Sequence, residues 1–105
     1  MSAQVIDDRG HVMPLLRMAT VQNVSIAGTA AASSAFGEGV QAVRLIATTR
    51  TYVLVRAPGV TTAATTSNGA LLEIGIPEIF AVQPGGSLSA IQASAGGALN
   101  VVELR

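Results

Sequence analysis

The chain has 105 residues, six acidic, six basic and one histidine, for a formal net charge of zero. That length suits one compact domain, and a hydrophobic half places it among chains that fold rather than stay disordered. Charged residues make up 11%, against roughly 25% in ordinary soluble domains. All six basic residues are arginine, and Ala, Gly, Ser and Thr together supply 46 of the 105 positions. Scattered arginines form no basic stripe, so nucleic acid is not an expected partner. The absence of cysteine excludes disulfide scaffolds, thiolate metal sites and cysteine nucleophiles. The opening Met1-Ser-Ala-Gln-Val-Ile-Asp7-Asp8-Arg9 lacks the basic and apolar regions of a signal peptide. The uncharged stretches 18–37 and 79–102 are interrupted by Gln, Asn, Ser, Pro84, Gly85 and Gly86, unlike a membrane helix of ~20 apolar residues. No membrane partner is expected.

Residues 1–19 differ from the rest and read as an N-terminal arm, with 20–105 as the folded domain. Four of the 12 charges and the single histidine fall in this segment. Val12, Met13, Leu15, Leu16 and Met18 supply apolar anchors around Pro14, which discourages a continuous helix. An extended arm and a short edge strand packed on its own domain are both compatible with this pattern.

From Thr20 onward short β-rich runs alternate with turn signals. Val21, Val24 and Ile26 mark a first strand, and the small residues of 29–36 a second, before Gly37-Glu38-Gly39 breaks the chain. Residues 40–48 and 51–57 are dense in Val, Leu and Ile and form the clearest strands. In the latter, Tyr52, Leu54 and Arg56 share one face and Val53, Val55 and Ala57 the other. Two largely apolar faces predict a strand covered on both sides. A polar Thr-rich loop follows, then Asn68-Gly69, a dipeptide suited to the positive φ angles of a tight hairpin. Strands are expected at 70–74, 78–82, 88–93 and 99–104, the last two joined as a hairpin through 94–98. Seven or eight short strands without a helical period predict an all-β antiparallel sandwich or jelly roll.

Few motifs carry chemistry. Gly37-Glu38-Gly39-Val40-Gln41-Ala42 matches the G-x-G-x-x-G/A dinucleotide pattern, but that pattern needs a following helix, and Val43 to Thr49 favour a strand. The turn reading is therefore preferred. Asp7, Asp8 and His11 are metal-ligand types, without a second His or Cys to complete a site. Glu73 and Glu78 border a turn and could act as paired carboxylates, although such glutamates more often serve as surface charge or as partners for arginine. One histidine and no G-x-S-x-G elbow leave a nucleophilic triad without parts. Asn23-Val24-Ser25 fits a glycosylation acceptor, which is read as chance without a secretion signal. No catalytic, cofactor-binding or metal-binding residue is assigned.

The segment VRLIATTRTYVLV, a Thr-rich stretch, and LLEIGIPEIFAVQPGGSLSAIQASAGGALNVVEL together resemble small virion proteins of tailed bacteriophages. These proteins are treated as head decoration or related structural proteins. The recurring pieces are a VRL-AT strand at 43–48, the loop at 61–67, a Pro-Glu-Phe-Val-Pro-Gly corner at 77–85 and the closing segment 90–103. The chain departs from the pattern in its extended threonine run after Pro58-Gly59-Val60 and in Arg50-Thr51-Tyr52. The resemblance implies no enzyme and no cofactor. It implies a subunit of the virion at the capsid surface, assembled in the host cytoplasm, that oligomerises as a homotrimer and decorates or cements the capsid by binding the major capsid protein. On that reading the arm residues Val12, Met13, Leu15, Leu16 and Met18 would contact a neighbouring subunit or capsid protein. A tail, baseplate or head–tail component is the structural alternative. A carbohydrate-binding module is the other, using Tyr52, Phe36, Phe80 or the loop at 61–67.

Overall fold

The computed structural model describes residues 3–6 and 12–105, with side chains from Leu16 onward. It is all-β. β1 (Ala3–Ile6) and β2 (Val12–Leu15) pair antiparallel as a small sheet of their own. The remaining eight strands are β3 (Met18–Ile26), β4 (Ala31–Ala32), β5 (Ala42–Ala47), β6 (Thr51–Arg56), β7 (Ala70–Leu72), β8 (Glu78–Ala81), β9 (Ser87–Gln92) and β10 (Gly97–Leu104). They form two four-stranded antiparallel sheets, β3-β10-β5-β8 and β4-β9-β6-β7.

The order has a simple origin. First pairs with last (β3 with β10), second with seventh (β4 with β9), third with sixth (β5 with β8), and fourth with fifth (β6 with β7). The eight strands are thus one long antiparallel ribbon, rolled so that β10 also meets β5 and β9 also meets β6. This is the jelly-roll solution to closing a sheet on itself. Only the β6–β7 connection stays within one sheet; every other connection between these strands crosses the sandwich.

One expected hairpin and one expected tight turn are corrected by the structure. The segment 94–98 links β9 and β10, which belong to different sheets, so it is a corner rather than a hairpin. Gly-rich corners and Gly-rich hairpins share the same local signal. Asn68-Gly69 is likewise not a positive-φ turn, because the positive φ angles occur at Gly39, Gly59, Gly75 and Gly85. Gly69 serves close approach instead: a Cβ there would lie 2.9 Å from the Tyr52 Cβ. The expected strand over 29–36 shrinks to β4. Beyond Ala32 the Ser33 hydroxyl accepts the Leu88 N–H at 3.0 Å, and a side chain thereby replaces one rung of the ladder.

The core lies between the sheets. Cross-strand partners point to the same face, so Leu45, Val101 and Leu99 of one sheet meet Val53, Leu72, Leu88 and Ala90 of the other, all buried. Each fully buried Leu contributes roughly 1.5–3 kcal/mol over its exposed state. Thr51 is buried among them, and its hydroxyl donates to the Ile91 carbonyl at 2.8 Å.

The close corner at Gly86 is a sensitive point of this packing. A Cβ there would lie 2.5 Å from the Arg56 carbonyl oxygen and 3.0 Å from that of Gln83, and backbone cannot yield cheaply. Gly86→Ala is expected to cost about 2–3 kcal/mol, read as a fall in thermal midpoint of roughly 10 °C or more. An unchanged midpoint would contradict the close approach.

Candidate functional site

One sheet is covered by the chain itself. On the outward face of β4-β9-β6-β7 lie Tyr52, Leu54, Arg56 and their partners Ile91, Ser89 and Ser87. The loop at 57–69 crosses this face. Ala64 is buried there, with its N–H donated to the Ser89 hydroxyl at 2.9 Å. Arg56 donates through Nε and Nη2 to the Ser87 hydroxyl and through Nη1 to the Thr62 carbonyl. The loop holds its own shape by an Asx-type exchange. Asn68 Oδ1 accepts from Thr65 N–H, Thr65 Oγ1 accepts from the Ser67 and Asn68 N–H groups, and Asn68 Nδ2 donates to the Ala63 carbonyl. The threonine run is therefore an ordered cover, and β6 has both faces packed as its two apolar faces predict.

The outward face of the other sheet is exposed along both edges and at Arg44, while Val102 and Ala42 within it are buried. A transverse row crosses all four strands: Val21, Val102, Arg44 and Ile79 are successive cross-strand partners. Below it run Met18, Leu104, Ala42 and Ala81; above it, Asn23, Asn100 and Ile46. Asn100 Nδ2 donates to Asn23 Oδ1 at 3.3 Å. A bulge where Leu104 pairs Met18 two positions after Val102 pairs Val21 turns Met18 onto this face. Met18 is 67% exposed, Val21 48% and Ile79 65%. Among the described residues the face holds one charge, Arg44, which is exposed.

The sequence-derived candidates fall in several places. Met18 and Leu16 are exposed, and Met18 joins the open face. Val12, Met13 and Leu15 sit on β2, with side chains outside the described part of the molecule. Asp7, Asp8 and His11 lie outside the described residues. Glu73 pairs with Arg50 at 3.2 Å across a half-exposed contact, the surface role expected of it, while Glu78 opens β8 at the sheet edge. Gly37-Glu38-Gly39 is a turn feeding β5, with Gly39 at φ 74°, as its following β-rich residues require. The three aromatics offer no exposed platform, since Phe36 is buried in the core and Tyr52 and Phe80 are half-buried. Among the described residues no three of His, Cys, Asp and Glu gather. A cleft of about 280 Å³ is lined by Val55, Arg56, Ala57, Ala81, Val82 and Gln83, and its only ionisable group is the Arg56 already tied to the covering loop.

A buried carboxylate escaped the sequence reading. Glu103 is 1% exposed on the inward face of β10. Its Oε1 accepts the Gly37 N–H at 2.9 Å, and its Oε2 accepts from Gln22 Nε2 at 3.0 Å. Gln22 Oε1 in turn accepts the Ser34 N–H at 2.8 Å. Two neutral donors thus satisfy the carboxylate, which locks the 33–41 loop against β3 and β10. The signal available was parity: Glu103 stands in phase with Leu99 and Val101, at a position alternation marks as inward. No family model, curated protein or solved structure matches the chain.

Removing the carboxylate strands the Gly37 N–H and one Gln22 donor. Glu103→Ala is expected to lower stability by about 2–3 kcal/mol in urea titration, and Glu103→Gln by about half that because one acceptor remains. Equal stability of both variants and the parent would contradict a clamping role.

Proposed function

We propose that this chain is a structural subunit of a tailed-bacteriophage particle, a capsid decoration or cement protein that self-associates and binds the major capsid protein. The observation that carries this reading is its surface. Met18, Ile74, Ile76 and Ile79 are each more than half exposed on a chain with only 12 charges. Large apolar side chains left exposed in this number mark surfaces that another molecule covers. The jelly roll is compatible, being an architecture that viral capsid proteins use, although architecture alone assigns no function. The resemblance of residues 43–104 to small virion proteins supplies the remaining support. The charge-free edge strand β3 (Met18–Ile26) adds to it, because a solitary protein normally guards such an edge with charge or proline.

Mass spectrometry and image reconstruction of washed, intact particles made from the encoding genome test the proposal. The chain is expected at a copy number that is a fixed multiple of a capsid lattice position. Its absence from those particles, or density following the tail axis alone, would overturn it.

A further inference from the structure

We infer that the open face of the β3-β10-β5-β8 sheet, centred on Arg44, is the surface that docks on a different protein, at a site presenting a carboxylate ringed by aliphatic groups. The inference rests on the virion reading above and specifies which face of this chain meets its partner.

The observations are the make-up of the face and the contrast with its opposite. The chain covers one sheet with its own 57–69 loop but leaves Val21, Arg44 and Ile79 exposed on the other. Arg44 stands in the middle of the transverse row, between Val102 and Ile79. A guanidinium stem set among aliphatics can be buried flat against a partner, and arginine is enriched at such interface centres. Burying it without an anion would be costly, so the occupant must bring one.

That requirement selects among occupants. Among the described residues the face carries no acidic side chain: Glu103 points inward, and Glu78 pairs Leu45 on the inward register. Two copies meeting through this same face would bury two guanidinium groups and supply no carboxylate. Symmetric pairing of this face with itself is therefore disfavoured, and a second copy would have to meet it through another surface that brings a carboxylate. A single cation also gives a polyanion such as nucleic acid too little to hold. The virion reading supplies such an occupant in the surface of a different protein, matched in charge to one arginine and in chemistry to Val21, Met18 and Ile79.

The test compares copies per particle for five variants supplied in place of the parent chain. Arg44→Glu and Ile79→Lys alter the open face. Arg50→Glu and Val60→Lys make the same kinds of change away from it. Arg44→Met keeps the stem without the charge, and thermal midpoints confirm that each variant is folded. The expected result is a loss of roughly tenfold or more for the face variants, a smaller loss for Arg44→Met, and parental incorporation for the two controls. Parental incorporation of Arg44→Glu and Ile79→Lys would overturn the inference while leaving the virion reading standing. Absence of the parent chain from particles would remove the virion reading itself. A purified oligomer that dissociates on Arg44→Glu would also overturn the inference, by making a second copy the occupant.

Discussion

The two sheets close on a single layer of side chains, and the rest of the molecule follows from that closure. Leu45, Leu99 and Val101 from one side and Leu72, Leu88 and Val53 from the other are all essentially removed from water. A small domain buries only about two-thirds of the surface its unfolded chain exposes, so this layer must supply most of the hydrophobic stabilisation. Because alternate residues face opposite ways, committing one set to the core dictates which residues stand outward. Val21, Arg44 and Ile79 are outward as a consequence of Val24, Leu45 and their neighbours being inward, and the bulge in β3 adds Met18 to them.

The rolled ribbon also divides the two outward faces unequally. The connection between β6 and β7 stays within one sheet and is long enough to fold back over it, sealed by Ala64 and tethered through Arg56. The other sheet includes the first and last strands of the ribbon, β3 and β10. At that end, the buried Glu103 clamps the 33–41 loop to the strands, fixing β3 and β10 relative to each other. The open face is thereby built on paired strands rather than on a loop surface.

Much of this was legible in the sequence. Alternation and turn residues located the strands from β5 onward, and the β-branched run after Gly39 correctly predicted a strand in place of a nucleotide-binding helix. The two apolar faces of 51–57 predicted cover on both sides. What alternation does not encode is pairing across the sandwich. Gly96-Gly97 looks the same whether the next strand returns beside its predecessor or crosses to the opposite sheet, and only long-range partners decide. Asn68-Gly69 misled for a related reason, since its glycine answers a steric demand from Tyr52, distant in sequence. Glu103 and Gln22 are 81 positions apart, so nothing local announced that this glutamate would be satisfied inside. The open face needed the register as well: Val21, Val102, Arg44 and Ile79 form a row only once four strands are aligned.

Hydroxyl-radical footprinting of the chain, free and within intact particles, measures the central claim directly. Met18, Val21 and Ile79 are expected to lose their labelling in the particle, while Val60 on the covering loop keeps it. Protection of Val60 with undiminished labelling of Met18, Val21 and Ile79 would contradict the assignment of the open sheet as the docking face.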